Sequence, residues 1–165
     1  MAQALAAGLA ASGALQPGQI GACARDRAKL HRNTEPHGFL AFDDAAGVAG
    51  FADVVVVAFG ASARVARSAV VEARAKGVKA GLVRPITLWP FPVDALEAAV
   101  PTAKAFLTVE MNMGQMVDDV RLTVAGRRPV DFYGRTGGVI PTPVEVLAKL
   151  EAMNEAIAAS AKGGE

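Results

Sequence analysis

The stretch DVVVVAFGASARVARSAVVEARAKG, residues 53–77, decides the fold. Val54-Val55-Val56-Val57-Ala58-Phe59 is a continuous apolar run dominated by β-branched residues, the pattern of a strand covered on both faces. Gly60-Ala61-Ser62 reads as the turn that follows, with Ser62 a candidate N-cap for a helix. From Ala63 to Lys76 the apolar residues Val65, Ala66, Ala69, Val70 and Ala73 share one stripe, and Gly77 is placed to end the helix.

The same alternation repeats downstream. Val78–Val83 predicts a second strand, closed by Pro85, which forces Arg84 into an extended conformation. The next stretch, RPITLWPFPVDALEAAVPTAKAFLTVEMNMGQ (84–115), organises the rest of the chain. Pro90 and Pro92 bracket a rigid loop around Phe91, beside the only tryptophan, Trp89. Asp94–Val100 predicts a short helix, Ala105–Glu110 a third strand, and Gly114–Ala125 a helix ending at Gly126. Val130–Tyr133 is a short fourth strand, and Gly134–Ile140 a glycine-rich loop. Thr142 caps a final helix from Pro143 to about Ala159, with Glu145 three residues on completing a capping box. Strand and helix in alternation at short spacing predict an α/β fold of three layers, α/β/α, around a mainly parallel sheet.

Upstream the character changes. Gln3–Ala14 suits a short Ala/Leu helix, Pro17-Gly18 breaks it, and residues 21–46 keep no sustained period. The expected organisation is a poorly ordered or partly helical lead-in over 1–46, an α/β domain over 47–160 entered through the linker Gly47–Gly50, and a tail over 161–165.

Composition removes several functions. Lys+Arg 17 against Asp+Glu 16 gives a net charge of +1, and aromatics are 5%, so neither a nucleic-acid-binding face nor a base-stacking surface is indicated. No apolar run approaches the roughly 20 residues needed to cross a membrane. The start, MAQALAAGLAASGAL, lacks the positive region of a secretory signal. Cys23 is the sole cysteine, too few for a disulfide or for the about four ligands of an iron–sulfur cluster, which favours a cytoplasmic setting.

The motifs yield no catalytic set. Gly60-Ala61-Ser62-Ala63-Arg64 has the place of a phosphate-binding turn but lacks the later glycines of the dinucleotide fingerprint, and Arg64 spoils a nucleophile elbow. Cys23, His31 and His37 lack metal-ligand spacing. Asp118 and Arg121, at i and i+3, read as a surface pair. Glu110 ends the third strand, on the edge where open α/β sheets place ligands. It is the best single functional carboxylate, set against the simpler reading that it ties down the following loop. Leu88-Trp89-Pro90-Phe91-Pro92 has the character of a protein–protein anchor, set against packing in the core.

From Asp53 to Leu150 the chain resembles the alpha subunit of the 2-oxoacid:ferredoxin oxidoreductases, the 2-oxoglutarate and branched-chain 2-oxoacid branch especially. The resemblance is carried in order by ADVVVVAFG, GLVRPITLWPFP, VEMNMGQMVDDVR and FYGRTGGVIPTP. It implies that subunit's second domain, similar to the C-terminal domain of transketolase. It further implies a parent complex that decarboxylates a 2-oxoacid oxidatively, acylates coenzyme A and passes electrons to ferredoxin. In that family a preceding domain holds the thiamine pyrimidine, a beta subunit holds the diphosphate and magnesium, and cysteines elsewhere carry the iron–sulfur clusters. Residues 1–46 do not resemble the thiamine-binding domain. The expectation is therefore a structural and assembly domain of an oligomeric complex that binds no cofactor or metal and performs no catalysis alone. Its partners are the beta subunit and the other oxidoreductase subunits, with ferredoxin indirectly. The alternative is a free-standing α/β binding module. At the functional edge we place Arg84, Trp89, Phe91, Glu110, Asn112, Gln115 and Arg135. Arg84 and Glu110 are expected to pair, and Asn112 and Gln115 to hydrogen-bond across a subunit boundary.

Overall fold

The valine run forms β3 (Val54–Ala58), and every residue of it is buried. Its alternation feeds two cores at once. Val54, Val56 and Ala58 face one layer, and Val55 and Val57 the other. The computed structural model describes residues 52–162 and a short parallel pair, β1 (Gly21–Ala22) with β2 (Leu40–Ala41). That pair stands where helical turns at most were expected. The remainder of the lead-in, the linker, Cys23, His31, His37 and the end of the tail lie outside the described residues.

Four strands make the main sheet: β3, β4 (Ala80–Val83), β5 (Ala105–Glu110) and β6 (Val130–Gly134). All pairings are parallel, in the order β4-β3-β5-β6. Helices α1 (Gly60–Ala75) and α4 (Pro143–Lys162) cover one face, and α2 (Val93–Glu97) and α3 (Met116–Val124) the other. The α/β/α architecture is as expected. α4 runs three residues past its expected end, and α2 is confined to Val93–Glu97.

Helix ends show where local chemistry decides. α1 buries Ala63, Ala66, Ala69, Val70 and Ala73, a stripe at helical spacing. It stops as expected at Gly77, whose φ of +85° suits a residue without a Cβ. There Gly77 N–H donates to Arg74 O and Val78 N–H to Ala73 O, closing a Schellman turn. The other end departs from expectation. The helix already begins at Gly60, with Phe59 as N-cap, and Ser62 is buried within the first turn rather than capping it.

The chain leaves β3 for β4 on one side and returns to place β5 on the other. The crevice between the C-terminal ends of β3 and β5 is thus the switch point at which such sheets usually hold a ligand.

Candidate assembly edge

Glu110 ends β5, beside that crevice. Its side chain is fully buried, and both carboxylate oxygens accept hydrogen bonds from the segment that follows. Oε1 accepts from Asn112 Nδ2 at 3.1 Å and from the Met116 N–H at 2.9 Å. Oε2 accepts from the N–H groups of Gln115 at 3.3 Å and Val117 at 3.0 Å. Three of these donors belong to the start of α3, whose first-turn amides have no partners within the helix. The N-cap residue, Gln115, contributes no side-chain cap. The strand-end carboxylate caps the helix instead, and its negative charge suits the positive end of the helix dipole.

The intervening turn is built to match. Asn112 Oδ1 accepts from the Gly114 N–H at 2.7 Å, so both ends of the Asn112 amide are used within the loop. Gly114 has a φ of +102°, a conformation that side chains resist. Gly134, on β6, lies against this turn. A Cβ there would collide with the Asn112 carbonyl oxygen and the Phe132 ring. The role of Gly134 has no local signature, because it depends on a neighbour more than twenty positions away in sequence.

Arg84 and Glu110 do not pair. β3 lies between their strands, and Glu110 is engaged by its own loop. Asn112 spends one amide N–H and its oxygen inside its own loop. Trp89 and Phe91 part company. Phe91 is half-buried against the core beneath α2 and α3, whereas Trp89 is 87% exposed. The Gln115 side chain is exposed at the start of α3.

Arg135 follows β6 and pins its loop to α4. Its Nε donates to Tyr133 Oη at 3.1 Å, and its Nη2 donates to Glu145 Oε1. Glu145 also accepts the Thr142 N–H at 2.8 Å and the Thr142 hydroxyl at 2.9 Å, while its own N–H donates back to Thr142 Oγ1 at 3.3 Å. The capping box is therefore realised. The backbone and hydroxyl of Thr142, followed by the Arg135 guanidinium, hold the Glu145 carboxyl at about 2. Glu145 and Tyr133 raise Arg135 in turn. The surface pair Arg121–Asp118 also forms, at 3.3 Å.

These loops share one property. Of the ten large apolar side chains exposed among the described residues, eight stand on the segments leaving β4, β5 and β6 or at the start of α4, with Ile86, Trp89 and Met113 each more than 80% exposed. The opposite edge is different. There a groove of about 670 Å³ runs between the C-terminal half of α4 and the starts of β5 and β6, and Met153 and Ile157 already pack on the core.

The start of α3, at the switch point, does not fit a diphosphate. The amides that would face an anion are committed to Glu110, whose carboxylate would repel one. No group of three His, Cys, Asp or Glu suited to a metal occurs among the described residues. No helix among them is long and apolar enough to cross a membrane.

Fold and edge together define a class: a parallel α/β domain whose strand-end carboxylate caps the next helix and whose loops turn apolar side chains outward. Residues 52–146 match the family described as pyruvate:ferredoxin oxidoreductase core domain II, and the chain belongs to it. Its relatives are 2-oxoacid oxidoreductase subunits. The ketoisovalerate oxidoreductase subunit VorB of Methanothermobacter thermautotrophicus is 46% identical over 99 residues, 60% of this chain and 28% of that protein. The 2-oxoglutarate synthase subunit KorA of Methanothermobacter marburgensis is 38% identical over 102 residues, 62% of this chain and 27% of that protein. The chain thus spans little more than a quarter of the length of these relatives. Among solved structures it is similar to a 2-oxoglutarate:ferredoxin oxidoreductase from Magnetococcus marinus, at TM-score 0.56 and 28% identity, over 62% of this chain and 18% of that one. A split-gene transketolase shares the fold at TM-score 0.54 and 18% identity, over 80% of this chain and 56% of that one.

Proposed function

We propose that this domain is the non-catalytic assembly domain of the alpha subunit of a thiamine-diphosphate-dependent 2-oxoacid:ferredoxin oxidoreductase. The parent complex decarboxylates a 2-oxoacid oxidatively and delivers the acyl group to coenzyme A. The domain docks the thiamine-diphosphate-binding beta subunit, and cofactor, magnesium and iron–sulfur clusters are held outside residues 52–162. The complex works in the cytoplasm. One observation carries the reading: exposed large apolar side chains gather on the loops of a single sheet edge. Such an edge is costly in water and favourable once covered by a partner.

The family match and the crevice support the same division of labour. Relatives named for ketoisovalerate and for 2-oxoglutarate both align with this domain, as expected if substrate is selected elsewhere in the complex. The single tryptophan supplies the test, because Trp89 stands on the proposed surface. Titrating the chain with a beta subunit that lacks tryptophan should shift Trp89 emission to the blue, saturably. Binding measured independently with no change in Trp89 emission would move the interface elsewhere. Absence of binding would remove the assembly role.

A further inference from the structure

The buried carboxylate has a consequence for the surface above it. Glu110 lies within the fold and touches nothing outside it, yet its bonds reach both sides of the Met111–Gln115 turn. Met111 is 39% and Met113 83% exposed, on either side of the inward-turned Asn112. The turn is short, its glycine has a positive φ, and the β6 backbone at Gly134 blocks it from behind. Breaking either hydrogen bond of Asn112 therefore frees the two methionines without removing them.

The geometry points to Glu110 and Asn112 as positioning residues that act through Met113, the more exposed of the two methionines, holding its side chain in the arrangement a partner meets. This rests on the assembly reading above. Glu110 serves as an internal anion at the start of α3, and Asn112 links that anion to the turn. Neither residue contacts the partner. Met113 does, and its unbranched, polarizable thioether suits a contact whose position is set by the backbone beneath it.

The test is a double-mutant cycle on the full chain with N112A, M113A and the combined variant. Two quantities are read: amide exchange at Gln115, Met116 and Val117 in the chain alone, and affinity for the beta subunit. N112A should speed exchange at these amides by roughly tenfold and weaken partner binding by roughly tenfold. M113A should weaken binding to a similar degree and leave exchange unchanged. The double variant should bind about as weakly as the worse single variant, since Asn112 has nothing left to position once Met113 is gone. A purely structural role for Asn112 gives additive losses, and additivity would overturn the proposal. So would an N112A chain whose exchange and binding match the parent while M113A binds weakly, a result that leaves the assembly reading intact. If N112A speeds exchange but neither single variant loses affinity, the partner meets another surface and the proposal fails, while absence of any binding by the parent chain removes the assembly reading itself.

Discussion

Two loops leave the same edge of the sheet and are stiffened by different means. The loop after β5 is anchored from below, by a buried carboxylate that accepts four hydrogen bonds and by a glycine neighbour on β6. The loop after β4 is held mainly by its covalent structure. Three prolines lie within Pro85–Pro92, Phe91 tucks into the core, and one long bond joins Thr87 Oγ1 to Pro90 O at 3.4 Å. A polar anchor is cooperative and can be broken at one atom, whereas proline stiffness is spread along the chain. Damage should therefore travel from the interior to the surface in the first loop and stay local in the second.

Breaking the anchor should have the largest effect. Glu110→Gln keeps the shape but turns an amide NH2 toward donors, leaving at least two of them without an acceptor. We expect a loss of about 3 kcal/mol in folding stability, read from a urea melt. A loss below about 1 kcal/mol would show that the carboxylate does not hold the loop. Gly134→Ala attacks the same turn from outside. Collision with the Asn112 carbonyl and Phe132 should cost about 2 kcal/mol and perturb Asn112 and Gly114 resonances more than those of the β4 loop.

The third strand-end loop sharpens the contrast, because its anchor lies at the surface. Thr142→Ala removes half of the capping box and should cost about 1 kcal/mol by thermal melting. Glu145 is held at about 2, below its ordinary value of 4.5, so its contribution is full above pH 4.5 and lost as the pH falls through 2. A Glu145→Gln variant should show a flatter stability profile over that window, and an unchanged profile would dismiss the network. Trp89→Ala should have the smallest effect on stability, under about 0.5 kcal/mol, because the side chain is already in water. Its effect should appear in partner binding alone.

The strands and their layers were legible because the valine run of β3 and the stripe of α1 announce their periods within a few residues. The capping box at Thr142 was legible for the same reason: its partners are three positions apart. The end of α1 at Gly77 follows that rule too. Strand order is not a local property, and the expected Arg84–Glu110 pair does not form because β3 separates their strands. Local spacing does not show that Asn112 meets Glu110, two residues back, because the inward orientation of Glu110 depends on the packed sheet. The spacing Glu110-x-Asn112-x-Gly114 does hold a signal. A strand-end carboxylate followed by an Asn-x-Gly turn and a helix start can close on the amides of that helix. Ser62 lost its place as N-cap to Phe59, because α1 starts at Gly60, two residues before Ser62.

The C-terminal edge of the sheet is the surface we propose that this domain offers to its partner. Amide hydrogen exchange of the chain, alone and with the beta subunit, tests it most directly. New protection is expected over residues 86–91 and 111–115, with the groove beside Lys104 and Met153 unchanged. Protection confined to that groove, or to the faces of α2 and α3, would contradict it.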